Sequence, residues 1–260
     1  MELVLIGLAA LLTSGLTLFS GFGLGTILMP VFALFFPLPL AIAATAVVHL
    51  ANNLFKFGLM AKQADWPVVA KFSVPAAITA TLGAASLTLF DRLPALWRYS
   101  FGDAAFEITP VKAVIGGLIV LFALLELSPR FQAQAFPPRL LPVGGALSGF
   151  FGGLSGNQGA LRSAFLLKAG LSKEAFVATG VVSAVIVDAV RLVMYGSAML
   201  AGQFSQVQAL ILPVTVGTIC AFIGSFVGKR VLQKVTLRMV QLTVAIAMLG
   251  IGTGLGLGLI

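Results

Sequence analysis

Ten apolar segments follow one another along this chain of 260 residues and leave little room for anything else. They cover residues 3–20, 23–36, 40–60, 68–90, 111–127, 140–154, 158–169, 173–195, 206–228 and 237–259. A helix needs about 20 residues to cross the hydrocarbon of a bilayer, so the second and seventh segments are too short to cross by themselves. We expect each of these two to form one arm of a helical hairpin.

The composition supports a membrane protein, because 59% of the residues are hydrophobic and only 9% are charged. A soluble domain carries about 25% charged residues. We therefore predict an all-α polytopic membrane protein with eight long and two short segments. The first segment follows Met1 and Glu2 without a basic leader, so we interpret it as a membrane segment and not as a cleaved signal.

The net charge of +8 does not indicate a nucleic-acid partner here, because the basic residues fall in short connections between apolar segments. That distribution is typical of the signals that orient membrane helices. Cys220 is the single cysteine and lies in an apolar segment, so the sequence predicts neither a disulfide nor a cysteine metal site. With one histidine and no phosphate-binding loop followed by lysine, we predict no cofactor, no metal and no enzymatic activity.

Basic residues in four regions set the predicted orientation. They are Lys56, Lys62 and Lys71; Arg130 and Arg139; Lys168 and Lys173; and Lys229, Arg230, Lys234 and Arg238. By the positive-inside rule these regions are cytoplasmic, and both termini lie outside. The connection 91–110 carries mixed charge, and its Trp97, Tyr99, Phe101 and Phe106 suit an aromatic belt at the outer surface.

The number of segments then predicts two inverted repeats. Five segments lead the chain from the outside to the cytoplasm, so the second half begins on the cytoplasmic side. We place repeat one at 1–127, a cytoplasmic connection at 128–139 and repeat two at 140–260. At an offset of 134 residues the aligned pairs include Gly15 with Gly149, Gly25 with Gly159, and Thr45 with Thr179. One inserted residue then aligns Asn53 with Asp188 and Lys56 with Arg191.

Two glycine-rich tips lie at corresponding places in these halves: the first tip is residues 20–25 and the second is residues 155–159. Glycine lets the backbone leave a helix, and broken helices occur at membrane depth where they line a cavity or are buried in protein. Paired breaks are typical of secondary transporters built from repeats. The alternative is that the glycines only allow close helix packing, which we favour for Gly7, Gly116 and Gly117.

Helix amino termini attract anions through unpaired N–H groups and the helix dipole, so we predict an anion site near the midplane between the tips. The candidate residues at the tips are Gly21, Gly23, Gly25, Ser155, Asn157, Gln158, Gly159 and Arg162. An arginine at membrane depth is costly, and a bound anion could compensate Arg162 through charge-assisted contacts. Alternatively, the carboxylate of Asp188 could compensate Arg162 within the protein, without a bound anion. Lys56 and Lys168 lie near cytoplasmic ends, where snorkelling explains them.

Polar residues on two long segments complete the candidate site. Thr45, His49, Asn52, Asn53 and Lys56 recur at helical spacing and should face the interior. Thr179 and Ser183 lie one turn apart on the matching segment, and Asp188 and Arg191 are spaced for an i,i+3 ion pair with a structural or gating role. The single histidine could relay protons or simply be a packing residue.

The stretch from Gly15 to Pro30 and its second copy from Gly149 to Leu167, followed by 174–180, resemble the repeated signature of the TauE/SafE family of sulfite and organosulfur-anion permeases. The resemblance implies a permease of the bacterial inner membrane that moves sulfite, sulfoacetate or a related anion. The second copy departs from the family pattern at Asn157, Gln158 and Arg162, and Ala164 stands opposite Pro30. These departures bear on the substrate more than on the fold.

Two other functions stay open at this point. A passive anion channel could use the same tips and basic residues, and large unitary currents would distinguish it from a transporter with saturable flux. A transporter for a metal cation or an amino acid is disfavoured because Asp188 is the only acidic residue well inside a segment. The expected partners are a small anion and the lipid bilayer; the sequence makes no prediction of oligomeric state.

Overall fold

A computed structural model describes the backbone of residues 1–20, 24–200, 204–231 and 237–260. The chain is mostly helical. The helices are α1 (Glu2–Ser20), α2 (Leu24–Ala33), α3 (Leu38–Met60), α4 (Trp66–Asp91), α5 (Pro110–Leu127), α6 (Pro129–Gln132), α7 (Leu141–Ser155), α8 (Gly159–Leu166), α9 (Lys173–Leu200), α10 (Phe204–Val231) and α11 (Leu237–Gly256). Short 3₁₀ turns follow α3 at Ala61–Gln63 and precede α7 at Pro138–Leu140.

Five of the described helices are long and apolar enough to cross a membrane. These stretches are Leu38–Gln63, Trp66–Asp91, Pro110–Leu127, Lys173–Ser197 and Val207–Val227. Helices α2 and α8 have 10 and 8 residues, which at about 1.5 Å per residue is far below the bilayer thickness of about 30 Å. Neither short helix can cross alone, as the sequence predicts; the total of ten segments stays a prediction.

Local sequence explains where several helices begin. Asp65 caps α4 by accepting a hydrogen bond from the Val68 amide at 3.0 Å, and Thr109 caps α5 through the Lys112 amide at 3.3 Å. Each cap is followed within two residues by a proline, whose fixed φ and missing N–H suit the first helical turn.

Small residues bring α7 directly against α4. Gly145, Gly149 and Gly153 recur every four residues on one face of α7, and a Cβ on any of them would lie 2.0–2.2 Å from a carbonyl oxygen of α4. The oxygens belong to Phe72, Ala76 and Ala80. The same kind of packing joins α10 to α1, where Gly224 lies against the Leu11 carbonyl. Close helix contact through small residues is typical of membrane proteins.

The all-α prediction is wrong in the connection after α4, which forms a β-hairpin. Strands β1 (Trp97–Phe101) and β2 (Ala104–Ile108) pair antiparallel, with Tyr99 opposite Phe106. Alternating aromatic and polar residues fit the period of two of a strand, so the aromatic side chains share one face. Tyr99 stacks on Phe106 and donates a hydrogen bond to the Leu257 carbonyl at 2.7 Å. The hairpin is therefore attached to the end of α11.

Candidate functional site

The second tip is a tight turn between α7 and α8. Gly156 has a φ of +82°, a left-handed conformation that favours glycine and ends many helices. Its amide donates to the Gly152 carbonyl at 3.0 Å. The Ser148 hydroxyl donates to the Gln158 carbonyl at 2.9 Å, which holds the turn against α7. Helix α8 then begins at Gly159.

The first turn of α2 contacts the second tip. A Cβ on Gly25, in the first turn of α2, would be 3.2 Å from the Gly156 carbonyl oxygen and 4.0 Å from the His49 ring. The predicted site residues Gly21 and Gly23 lie outside the described residues. The amino termini of α2 and α8 therefore meet at one place, as the sequence predicts.

Both amino termini open into one cavity. It is lined by the first residues of α2, by His49 to Lys56 of α3, by the second tip with α8, and by 176–181 of α9. The centres of water molecules can occupy about 40 Å³ of it, and one water needs about 10–15 Å³ on that measure. The cavity therefore has room for about three waters or one small ion.

Two buried cations line this cavity. Arg162 is 6% exposed and Lys56 is 4% exposed. Arg162 lies one turn into α8 against α9, where a Cβ on Gly180 would be 3.6 Å from its Nε. The expectation that Lys56 snorkels to water is wrong, because its position on α3 turns it into the bundle. Lys168 is exposed, as expected for a lysine at a helix end.

A polar cluster centred on Asp188 borders the cavity through two of its members, His49 and Gln158. The carboxylate pairs with Arg191 at 2.8 Å, and both side chains are fully buried. The predicted i,i+3 ion pair is therefore present. His49 Nδ1 lies 2.6 Å from the second carboxylate oxygen and must donate to it, since a carboxylate only accepts. Gln158 Nε2 donates to Asp188 at 2.9 Å. We call Asp188, Arg191, His49 and Gln158 the Asp188 cluster.

The Asp188 cluster connects four helices or turns. Its members come from α3, the second tip and α9, and Arg191 Nη1 also donates to the Gly152 carbonyl of α7 at 3.1 Å. One turn further along α9, the Tyr195 hydroxyl donates to the Gly153 carbonyl. This arrangement fixes α9 against α7.

The remaining predicted residues divide into two groups. Asn52, Asn53, Gln158 and Gly159 line the cavity with Arg162 and Gly25. Thr45, Ser155, Asn157, Thr179 and Ser183 are buried but do not line it. Thr179 accepts from the Asp65 amide at 3.0 Å and Ser183 accepts from Ser73 at 2.9 Å, so these two connect α9 to α4.

Asn52 has both a packing contact and a cavity position. Its Oδ1 accepts a hydrogen bond from Ser225 of α10 at 2.8 Å, while the residue also borders the cavity. That bond fixes the amide oxygen toward α10. The amide nitrogen of Asn52 can then donate a hydrogen bond to another group.

The matching family decides the class of protein. The family model described as Sulfite exporter TauE/SafE matches residues 3–255. The chain belongs to this family. No curated protein and no solved structure matches it. Members of the TauE/SafE family are membrane transporters of sulfite and related anions, so membership implies that this chain is a multi-pass membrane transporter.

The sequence places Lys56 with His49 and Asn53 on the inward polar face of α3, although its position near a helix end favoured snorkelling. Burial of a second ionisable residue of this TauE/SafE protein, Glu126, was not predicted. Glu126, next to the end of α5, is only 5% exposed. Its position near a helix end gave no sign of burial.

Proposed function

We propose that the protein is a secondary-active permease for sulfite or a small organosulfur anion, working by alternating access around the cavity at the tips. The observation that carries the proposal is the meeting of two helix amino termini and two buried cations in one small cavity. Each of these features favours negative charge. Thr26, Asn52 and Asn53 add polar groups that could donate to oxyanion oxygens.

The size of the cavity supports a small substrate. Space for about three waters suits the few heavy atoms of sulfite or of a short sulfonate. A longer organosulfur anion would need the cavity to widen along α8 and α9. We therefore place sulfite ahead of sulfoacetate and taurine in the order of expected affinity.

The helix packing supports two related halves. Helix α1 packs on α10 and α7 packs on α4, while α3 packs on α9 and α5 on α11. Exchanging 1–127 with 140–260 maps this set of pairs onto itself, which an internal repeat would produce. We propose that the halves are inverted, as the charge bias of the connections requires, with both termini outside the bacterial inner membrane.

The position of the cavity supports alternating access. The cavity lies between the tips and the side where α3 ends and α9 begins, the side with the exposed lysines Lys62, Lys168 and Lys173. On the other side, the Asp188 cluster and Tyr195 join α9 to α7. We propose that this is the cytoplasm-facing arrangement, and that separation of α9 from α7 opens the other side. A channel would not need such a seal.

A binding screen of the purified protein tests the proposal. Sulfite, thiosulfate, sulfoacetate, taurine and sulfate are added separately, and thermal unfolding reports which of them stabilises the protein. Arg162→Ala should weaken binding of the preferred anion by roughly 10- to 150-fold, the value of one charged hydrogen bond. The control Arg139→Ala, at an exposed arginine, should bind normally. Unchanged affinity in Arg162→Ala would refute the assignment.

Flux measurements separate the transporter from the channel. In proteoliposomes we expect saturable uptake of the preferred anion and no unitary currents in planar bilayers. Large unitary currents would refute alternating access.

A further inference from the structure

We propose that Lys56 determines substrate charge: together with Arg162 it makes the cavity select a doubly charged oxyanion over a singly charged one of the same size. This inference rests on the proposed function and deepens it, because anion transport alone does not require a preference for two charges.

The two cations come from different parts of the fold and meet in the same space. Lys56 lies on α3, seven residues after His49 and three after Asn53, so the three side chains share one helix face. Arg162 lies on α8, one turn after the second tip. Both line the cavity and both are at least nine-tenths buried. A surface lysine at a helix end would have reached water instead.

The formal charges around the cavity do not cancel. Asp188 and Arg191 form a fully buried pair that neutralises itself. The other two charged residues are Lys56 and Arg162, and no carboxylate is among the described residues that line the cavity. With His49 neutral the sum of these charges is +2, and a protonated His49 would raise it further.

Because these cations are buried, their summed charge should determine which ligand charge binds best. A charge in a low-dielectric interior is strongly unfavourable unless an opposite charge compensates it. A dianion brings the sum to zero, whereas a monoanion leaves one positive charge inside the protein. The predicted preference is therefore for a dianion such as sulfite above its second ionisation, held by Lys56 as well as by Arg162.

Methanesulfonate and sulfate provide the matched probes, because they have the same number of heavy atoms and differ in charge. Sulfite above its second ionisation serves as a second dianion. Isothermal titration of the detergent-purified protein should show both dianions binding tighter than methanesulfonate. A charged hydrogen bond changes affinity by roughly 10- to 150-fold, and we expect a preference of that size.

Lys56→Gln should remove the preference by weakening the dianions, while methanesulfonate affinity stays within about threefold. Lys56→Arg should keep the preference. Lys62→Gln, at an exposed lysine in the 3₁₀ turn that directly follows α3, should behave as the unmodified protein. Lys56→Met provides a second neutral variant of similar length should Lys56→Gln fail to fold. Thermal unfolding without anions gives an independent readout, since removing one of two like charges should raise the melting temperature of the empty protein.

The outcomes separate the two proposals. Equal weakening of all three probes in Lys56→Gln, or an undiminished dianion preference, would overturn the role of Lys56 while anion transport stands. Tighter binding of methanesulfonate by the unmodified protein would overturn it too. Binding of none of the probes or of the wider anion set would instead refute the proposed function itself.

Discussion

Asp188→Asn removes the negative charge that is paired with Arg191, and we expect it to destabilise the protein by about 3–5 kcal/mol. Both side chains are fully buried, with Arg191 Nη2 2.8 Å from the carboxylate. Asparagine keeps the shape of the side chain and can still accept one hydrogen bond, but it supplies no charge. Arg191 would then add a third cation to Lys56 and Arg162 in the same region.

Thermal unfolding in detergent measures this effect against a matched control. Asp103→Asn makes the same chemical change at an exposed residue of the hairpin turn, and we expect it to lie within about 0.5 kcal/mol of the unmodified protein. The double variant Asp188→Asn with Arg191→Gln removes both charges. It should be more stable than Asp188→Asn alone, because no buried arginine then lacks its counter-charge.

Two results would refute this reasoning. If Asp188→Asn unfolds at the same temperature as Asp103→Asn, the carboxylate is not needed to compensate Arg191. If the two substitutions in the double variant simply add, the pair is not energetically coupled, and its short distance has no bearing on stability.

Two further predictions concern helix packing and proton coupling. Gly149→Ala places a Cβ 2.0 Å from the Ala76 carbonyl oxygen, so it should cost at least about 1–3 kcal/mol in thermal unfolding; Gly117→Ala, with nothing within 4 Å, should cost nothing, and equal effects would contradict the α4–α7 packing. If His49 relays protons through its contact with Asp188, His49→Gln should abolish the dependence of uptake on a pH gradient while changing anion affinity by less than about threefold. Retained dependence would exclude His49 as the relay.

The parts of the fold that follow from local chemistry could be predicted from the sequence. Apolar length identifies the membrane helices, and glycine spacing identifies the breaks that bring Gly25 and Gly156 together. The ion pair of Asp188 with Arg191 depends only on helical periodicity. Each of these features depends on residues that are close together in the sequence.

The parts that depend on packing between distant segments could not be predicted. Thr179 and Ser183 lie on the predicted face, but their partners Asp65 and Ser73 are more than a hundred residues away. Periodicity gives the face a residue occupies and not which helix covers that face. The same limit explains Lys56, whose place near a helix end is compatible with water or with a cavity. The hairpin was missed because its aromatic residues were interpreted by composition and not by their alternation.

The predicted repeat alignment gives a physical reason for the different tasks of the buried charges. It matches Asn53 with Asp188 and Lys56 with Arg191. In repeat two the cation therefore has a carboxylate three residues before it and forms a self-neutral pair that connects α9 to α7. In repeat one the position three residues before Lys56 is an asparagine, and in the proposed site Lys56 adds to the positive charge of the cavity. A symmetric pair of ion pairs would leave only Arg162 to attract the substrate. In the proposed mechanism, the difference between an acid and its amide at this aligned position therefore separates a structural pair in repeat two from a substrate-binding lysine in repeat one.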